Sequence, residues 1–290
     1  MKIESINLQR RKVAATRINF APPFVGAAPS PAPRARHAMH IPVFQLNSVR
    51  RYWGDRIAVQ DINLRINPGE IIALIGPSGG GKSTLINLLA GALRPTGGQV
   101  RIDGTDLALL SPRPLRRHRA RCGIIEQAHL LVPQMSVHQN IIAGCLSEWS
   151  WYKVTASALW HLETQRVTEL LEVLGLENLQ WERVSTLSGG QMQRVAVARA
   201  LINNPGVILA DEPTASLDPN TARAVTALIC EQARLRGATL VFSTHWLDIV
   251  RDRCDRVLGL RHGRVVLDAA PRDVSESALQ MLYQGSGERI

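Results

Sequence analysis

Several features that define other classes of protein are missing from this 290-residue sequence. No run of about 18 consecutive apolar residues occurs, so no segment has the length of a membrane-spanning helix, and the N-terminus lacks the apolar stretch of a secretory signal. The four cysteines form no C-x-x-C pair and show no zinc-ligand spacing with the eight histidines. We therefore expect mostly buried, reduced thiols in a cytosolic protein. Aromatic residues make up only 4% of the chain, which favours an aliphatic α/β core over a β-sandwich.

The positive charge of the chain is concentrated near its N-terminus. The formal net charge is +10, and residues 1–40 contain seven basic residues and one acidic residue. A basic tail can attract anionic lipid or nucleic acid, but residues 21–40 are dominated by proline and alanine without periodicity, which indicates a solvated, disordered extension. We therefore predict an extension over 1–40 and one folded domain over 41–290. Because Met39 stands just before the folded pattern, a start codon assigned too early would also explain the extension, and a transit-like peptide is a further alternative.

The remaining sequence alternates between strand and helix patterns. Short strands separated by turns predict an antiparallel subdomain from Ile41 onwards, and the apolar runs 71–76, 207–213 and 238–245 have the length of buried parallel strands. A hairpin is predicted around 261–263. Helical spacing occurs in the segments 83–93, 165–176 and 275–283, and most of the region 113–200 is helical in pattern. The alternation predicts an α/β fold with a mostly parallel sheet.

A phosphate-binding sequence follows the first apolar run. Residues 76–83 read GPSGGGKS and fit the pattern G-x-x-x-x-G-K-[ST] between a strand and a helix. The glycines let the backbone wrap an anion with its N–H groups inward, and the next helix presents its positive N-terminus to the same anion. Lys82 can then reach the β- and γ-phosphates of a nucleotide, and the Ser83 hydroxyl suits Mg²⁺.

Two adjacent acidic residues stand at the end of the apolar run that begins at Val207. We expect Asp211 to hold Mg²⁺ through water. Glu212 points the other way if the strand continues, which would place its carboxylate to polarise an attacking water as a general base. The alternative interpretation is a pair of solvated acids at a strand end.

A second anion-binding sequence, LSGGQ at residues 187–191, precedes the helical segment QMQRVAVARAL. It combines small residues, a hydroxyl and a helix N-terminus. With these motifs in order, the chain resembles the ATPase subunits of ABC transporters over about residues 41–290. The resemblance implies a P-loop NTPase (RecA-like) core with a mostly parallel sheet, an antiparallel β subdomain and an α-helical subdomain. It also implies a head-to-tail dimer in which each LSGGQ sequence covers the nucleotide on the other subunit's phosphate loop.

The resemblance assigns roles to further residues. Gln127 matches the glutamine that senses Mg²⁺ and the lytic water and faces the permease. Asp218 matches the loop that couples the two subunits, and His245 matches the histidine that contacts the γ-phosphate. Trp53 matches the aromatic residue that stacks on adenine, with Tyr52 as the alternative.

The predicted site therefore has catalytic, metal-binding and nucleotide-binding parts, with ATP and Mg²⁺ as the expected cofactors. The catalytic residues are Glu212, His245 and Gln127, and the metal ligands are Ser83, Gln127 and Asp211. The nucleotide-binding residues are Trp53, Gly76, Pro77, Ser78, Gly79, Gly80, Gly81, Lys82, Ser83, Thr84, Ser188, Gly189, Gly190, Gln191 and Asp218. The expected reaction is hydrolysis of ATP to ADP and phosphate, coupled to transport.

Within this superfamily the chain is most similar to the phosphonate/phosphite importer ATPases. The similar features are the sequences RVSTLSGGQ and ADEPTASLDP, a Trp-bearing insert at 147–152 and the closing SALQMLYQG. The chain departs from that group at Thr214, at Ser243, at Glu126 before the loop glutamine and at Gln139, where an acid is usual.

The resemblance also implies partners and a location. The expected partners are a second copy of the chain or another ABC ATPase, transmembrane permease subunits and an extracytoplasmic binding protein, at the cytoplasmic face of the inner membrane. The tryptophans within 149–160 either dock the permease or fill the core of the helical subdomain. The basic run 116–121 is interpreted as a solvated helix face near the membrane, and no nucleic-acid partner is expected because the run lacks interleaved aromatic residues.

Other functions share the same cassette chemistry. The ATPase of another importer, of an exporter or of a lipoprotein-release system would carry the same motifs and differ only in the surface that faces the permease. A soluble ABC ATPase that acts on chromosomes would need long heptad arms, for which the interval between Gln127 and Ser188 is too short. The ribosome-associated type carries two cassettes in one chain, whereas this chain has one.

Overall fold

The computed structural model describes residues 41–126, 130–146, 149, 163–215 and 217–284, so the predictions for residues 1–40 fall outside the described residues. The described strands are β1 (Phe44–Trp53), β2 (Arg56–Ile66), β3 (Ile71–Ile75), β4 (Gly97–Ile102), β5 (Thr105–Asp106), β6 (Cys122–Ile125), β7 (Val207–Ala210), β8 (Thr239–Ser243), β9 (Arg256–Arg261) and β10 (Arg264–Ala269). The described α-helices are α1 (Lys82–Leu89), α2 (Pro112–Arg121), α3 (Val137–Ile142), α4 (Thr164–Val173), α5 (Gly189–Leu201), α6 (Pro219–Arg236), α7 (Leu247–Arg253) and α8 (Glu276–Tyr283). Short 3-10 helices span Leu107–Leu109, Ala143–Cys145, Glu177–Leu179, Val184–Thr186 and Pro271–Asp273.

Two sheets form the frame on which the site is built. The smaller sheet is antiparallel and has the order β2-β1-β4-β5, whereas the larger has the order β10-β9-β3-β8-β7-β6. In the larger sheet all neighbouring strands run parallel except β10, which pairs antiparallel with β9 at one edge. The predicted mostly parallel sheet with an antiparallel subdomain is therefore confirmed. Because β3, β8 and β7 are neighbours, the segments that follow them emerge at the same edge of the sheet.

Strand β3 is buried on both faces, which explains its uninterrupted apolar sequence. Ile72 and Leu74 pack with α1 and the antiparallel sheet, whereas Ile71, Ala73 and Ile75 join a second core with α5 and α6. Successive strand side chains point to opposite faces, so a strand covered on both sides has no polar position to alternate with. The end of β3, where the phosphate loop begins, is thus held by two hydrophobic cores.

Capping residues fix the beginnings of the helices that border the site. Ser188 forms a capping box with Gln191 at the start of α5, and Ser136 forms one with Gln139 at the start of α3. Gln139, which departs from the acid usual in the phosphonate group, is thereby given a structural role as an N3 cap partner. Asp218 begins α6 by accepting hydrogen bonds from two backbone N–H groups of the first turn.

The observed boundaries differ from the sequence pattern at one helix near the site. The segment 83–93 has helical spacing throughout, but α1 ends at Leu89 because Gly91 adopts a left-handed φ of +68°. The hairpin predicted around 261–263 is confirmed, with His262 and Gly263 at positive φ in the turn between β9 and β10.

The basic run 116–121 lies in α2 and is not wholly solvated. His118 is buried, its Nε2 lies 2.9 Å from the Leu89 carbonyl oxygen, and burial lowers the pKa of its imidazole. Arg119 donates two hydrogen bonds to the Gly91 carbonyl oxygen. The prediction of a solvated face is therefore wrong for His118, because the inner side of α2 packs on the end of α1.

The four cysteines lie wholly or partly inside the fold. Cys122, Cys145 and Cys230 are buried cysteines, as predicted, Cys254 is a partly buried one, and none of the four forms a disulfide. Among the residues that the structure describes, no helix is both long enough and apolar enough to cross a membrane.

Candidate nucleotide-binding site

The loop between β3 and α1 presents its backbone as an anion cradle. Gly76, Gly79 and Gly81 have φ values of +136°, +76° and +108°. A β-carbon on Gly76 would lie 2.1 Å from the Leu260 carbonyl oxygen, and one on Gly81 would lie 2.6 Å from the Ala58 carbonyl oxygen. Since both obstacles are backbone atoms, only glycine fits at these two positions.

Two distant segments of the chain hold this loop in place. The Gly263 N–H in the β9–β10 turn donates to the Gly80 carbonyl oxygen at 3.0 Å. The Gly76 N–H donates to the Tyr283 hydroxyl at the end of α8, at 3.1 Å. Sequence reasoning assigned neither segment to the site, because nothing in a strand or helix pattern shows which loop it will touch.

The Lys82 ammonium is buried inside the loop. Its Nζ donates to the carbonyl oxygens of Gly76 at 2.6 Å and Pro77 at 3.2 Å, and lies 3.9 Å from Oε1 of Glu212. A buried cation requires such partners to offset its lost hydration. The loop therefore carries a positive charge, as the sequence predicts, next to the glutamate predicted to be the base.

The two acids after β7 are oriented by a turn and by a serine. The expectation that Glu212 continues the strand is wrong, since β7 ends at Ala210 and Glu212 has a left-handed φ of +44°. The Ser243 hydroxyl donates to Oδ1 of Asp211 at 2.9 Å and accepts from the Glu212 N–H at 2.6 Å. Ser243 is fully buried, so this hydroxyl fixes both acids through one bridge. In the sequence, Ser243 stands out only as a departure from the phosphonate group.

Glu212 and His245, the predicted base and its neighbouring histidine, lie side by side at the phosphate loop. Nε2 of His245 lies 3.5 Å from Oε1 of Glu212. The hydrogen bond from His245 holds the pKa of the Glu212 carboxyl below its usual value, with a smaller contribution from the Lys82 charge, although partial burial acts in the opposite direction. Glu212 is therefore ionised at neutral pH and can accept a hydrogen bond or a proton from water.

The phosphate loop opens into a cleft of about 510 Å³ that ends at an indole ring. The cleft is lined by the loop residues Ser78 to Thr84, by Glu212 and by Trp53, Arg56, Ile57 and Ala58. Trp53 is 50% exposed, and the Arg51 guanidinium carbon lies 4.1 Å from the centre of its ring. Tyr52, the alternative stacking residue, is not among the described residues that line this cleft. Trp53 is therefore better placed than Tyr52 to stack on a base bound in this cleft.

The LSGGQ sequence lines a different cleft, of about 470 Å³. This second cleft is formed by Ser188, Gly189, Gly190 and Gln191 together with Asp218 and neighbouring residues. The N-termini of α5 and α6 meet here, because a β-carbon on Gly190 would lie 2.8 Å from the Thr221 methyl group. Among the residues that the structure describes, none lines both clefts. The predicted nucleotide-binding residues are thus divided into two groups, as a head-to-tail dimer requires of each chain.

Some residues of the predicted site are not among those that the structure describes. Gln127 and the segment 150–162, which includes most of the tryptophan cluster, lie outside the described residues. Trp149 is described, and it packs against the core that contains α4 and α5. For this one tryptophan the core alternative is therefore the better interpretation.

The comparisons with known proteins agree with this geometry. The sequence profile of the family described as "ABC transporter" matches residues 59–215. The phosphonates import ATP-binding protein PhnC of Wolinella succinogenes is 39% identical over 237 residues, which is 82% of this chain and 86% of that protein. PhnC 2 of Pseudomonas aeruginosa is 40% identical over 226 residues, 78% of this chain and 85% of that protein. The dimeric post-hydrolysis structure of the ATP-binding cassette MJ0796 bound to ADP and Pi has a TM-score of 0.68 and 31% identity, covering 80% of this chain and all of that one.

These matches and the two clefts define the class of protein. The chain belongs to the ABC transporter family and has the fold of its ATP-binding cassette. It is the subunit that hydrolyses ATP.

The donor atoms at the site fit a magnesium ion. Ser83 on the first turn of α1 and Asp211 after β7 supply hydroxyl and carboxylate oxygens, which are the ligands that Mg²⁺ prefers. Within the described ranges, no group of three or more His, Cys, Asp or Glu side chains forms a metal site.

Proposed function

We propose that this chain energises an importer of phosphonate-type solutes by binding and hydrolysing ATP at the interface of a dimer. The observation that carries the enzymatic part is the cluster of Lys82, Glu212 and His245 at the phosphate loop, with separations of 3.9 and 3.5 Å. The solute class is supported by relatives 39% and 40% identical that are phosphonate import proteins.

Each side chain has a distinct part in the proposed reaction. The loop N–H groups and Lys82 bind the β- and γ-phosphates, and Trp53 stacks on the adenine. The Glu212 carboxylate accepts a hydrogen bond from the attacking water, and His245 contacts the γ-phosphate. Ser83, Asp211 and Gln127 would hold Mg²⁺, which would neutralise phosphate charge.

Closure of the dimer couples this chemistry to transport. In the proposed dimer, Ser188 to Gln191 and Asp218 of one subunit cover the nucleotide on the loop of the other. ATP favours the closed pair because its γ-phosphate contacts both clefts, and ADP lacks these contacts. The proposed transport partners are permease subunits, which contact the surface near Gln127, and an extracytoplasmic binding protein. The proposed position is peripheral, at the cytoplasmic face of the inner membrane.

Uptake of radiolabelled phosphonate or phosphite as sole phosphorus source tests this function. Four strains are compared: wild type, a deletion, Glu212→Gln and Glu231→Gln. The last is a matched control, since Glu231 is an exposed glutamate on α6 outside both clefts. We expect uptake to be lost in the deletion and in Glu212→Gln and kept in Glu231→Gln. Equal uptake in all four strains, with no redundant system present, would show that the solute is of another class.

A further inference from the structure

The nucleotide cleft contains an arginine that none of the recognised motifs includes. Arg56 begins β2, is exposed and lines the cleft together with the phosphate loop and Trp53. A β-carbon on Gly79 would lie 3.5 Å from a guanidinium nitrogen of Arg56. The guanidinium is therefore placed over the phosphate loop itself.

Two further cations near this cleft, Lys82 and Arg51, are held by protein groups. Lys82 donates to two carbonyl oxygens of the loop. Arg51 lies against the ring of Trp53 and donates to the Arg94 carbonyl oxygen at 3.1 Å. Within the described part of the chain, the Arg56 guanidinium makes no hydrogen bond or ion pair. Its position over Gly79 is thus not explained by a contact that stabilises the fold.

We infer that Arg56 is an additional nucleotide-binding residue that contacts the phosphate chain of ATP. The inference rests on the proposed function, because it assumes that the loop binds the phosphates of ATP. A guanidinium carries five N–H donors in a planar fork and binds phosphate oxygens in a bidentate manner. The cleft would then have one cation on each side of the phosphates, Lys82 within the loop and Arg56 above it.

The partner subunit is the other conceivable target for an exposed arginine at this edge. The position over Gly79 favours the nucleotide, since the guanidinium already faces the loop that binds it within one chain. A contact with the nucleotide therefore predicts a loss of affinity in the monomer, before any dimer forms.

The test measures the dissociation constants of Mg·ATP and Mg·ADP for the full chain, by calorimetry at protein concentrations where ADP leaves it monomeric. The variants are Arg56→Gln, Arg56→Lys and Arg65→Gln. Arg65 is the matched control, because it is an exposed arginine on the same strand, roughly 30 Å away at the ordinary strand rise. Thermal unfolding of each variant shows that the fold is retained.

We expect Arg56→Gln to weaken both nucleotides about five- to tenfold, as for the loss of an exposed charge-assisted hydrogen bond. Arg56→Lys should recover most of the affinity, and Arg65→Gln should stay within about twofold of wild type because salt screens a charge at that distance. Unchanged affinity in Arg56→Gln, or an equal loss in Arg65→Gln, overturns the inference. A defect confined to ATP-driven dimerisation also overturns it, since Arg56 would then contact the partner.

The same titration separates this inference from the proposed function. If the wild-type chain binds neither nucleotide, the proposed function fails together with the inference. If wild type binds both and Arg56→Gln binds them equally well, the proposed function stands and the assignment of Arg56 is wrong.

Discussion

The glycines of the phosphate loop differ from other positive-φ glycines in what surrounds them. Gly81 at φ +108° has the Ala58 carbonyl oxygen 2.6 Å from the position of a β-carbon, whereas Gly237 at φ +61° has no atom within 4 Å. Alanine at Gly237 pays only the conformational cost of a left-handed residue, about 1–2 kcal/mol. Alanine at Gly81 must in addition displace the backbone at Ala58, whose carbonyl oxygen occupies the space of the β-carbon.

We therefore predict different outcomes for Gly81→Ala and Gly237→Ala. Gly81→Ala should lose ATP affinity by at least about tenfold, because a backbone shift there displaces the N–H groups of the cradle. Gly237→Ala should lower the melting temperature slightly and leave ATP affinity at the wild-type value. Calorimetric titration and thermal unfolding of both variants check this. Similar ATP affinities in the two variants would mean that the loop tolerates the shift.

A pH dependence follows from the contact between Glu212 and His245. The pKa of Glu212 is lowered in the folded protein, chiefly by the hydrogen bond from His245. A carboxyl with a lowered folded pKa contributes stability above its unfolded pKa of about 4.3, and the contribution is lost as the pH falls through the lower folded value. Removing His245 raises the folded pKa of Glu212 and should shrink this contribution.

We predict that His245→Ala flattens the acid-side dependence of stability in the nucleotide-free protein. The measurement is the free energy of unfolding between pH 7 and the acid limit at which the protein still folds, by urea titration. In a Glu212→Gln background, His245→Ala should have no pH-dependent effect in this range, which makes the pair of variants a double-mutant cycle. Suppose that His245→Ala changes the pH dependence of stability equally in the wild type and in the Glu212→Gln background. The pH dependence would then not arise from the contact between His245 and Glu212.

At the scale of secondary structure elements, α8 is the least expected part of the site. Its Tyr283 hydroxyl accepts from Gly76 N–H, and its end is held by hydrogen bonds from Arg261 to the carbonyl oxygens of Met281 and Gln284. The helix thus connects β9 to the first residue of the phosphate loop. Its sequence, ESALQMLY, predicts an amphipathic helix but not this contact.

We predict that Tyr283→Phe lowers the free energy of unfolding by about 1 kcal/mol and raises the Michaelis constant for ATP about threefold, since one buried hydrogen bond is lost. The turnover number should change little, because Tyr283 does not touch Glu212 or His245. Met281→Ala is the control on the same helix, with a side chain that is 60% exposed. Steady-state ATPase kinetics distinguish the two variants. If Tyr283→Phe lowers the turnover number alone, the hydroxyl does not act through the loop.

At the scale of the whole molecule, the separation of the two clefts fits the proposed dimer, in which a second chain completes each nucleotide site. The described residues that line the LSGGQ cleft all differ from those that line the phosphate-loop cleft, as expected if one chain carries two half-sites. Ser188 caps α5 through its side chain, and aspartate would keep this cap while placing a negative charge at the surface proposed to cover the γ-phosphate.

We predict that Glu212→Gln forms a dimer in ATP and a monomer in ADP, and that adding Ser188→Asp abolishes the dimer while ATP still binds. Ser277→Asp serves as control, since Ser277 is an exposed serine on α8 that lines neither cleft. Light scattering coupled to size-exclusion chromatography gives the mass in each case. A dimer that survives Ser188→Asp would place the interface elsewhere.

The chemistry of the site could be predicted from the sequence because its motifs are local. The phosphate loop, LSGGQ and the Asp211–Glu212 pair each occupy consecutive positions, and a short segment between a strand and a helix has few possible geometries. The alternation of apolar runs likewise predicts the parallel sheet, since β3 must be buried on both faces. The direction of Glu212 could not be predicted, because it depends on where β7 ends.

The sequence alone predicts the alternation of strands and helices, the two glycine-rich anion-binding loops and the candidate acid and base. Packing of the folded chain brings Ser243 to both acids, Tyr283 and Gly263 to the phosphate loop, and Arg56 above that loop. The physical reason is distance along the chain. Tyr283 stands more than 200 positions after Gly76, so packing alone decides which groups meet, and no local pattern records the contact.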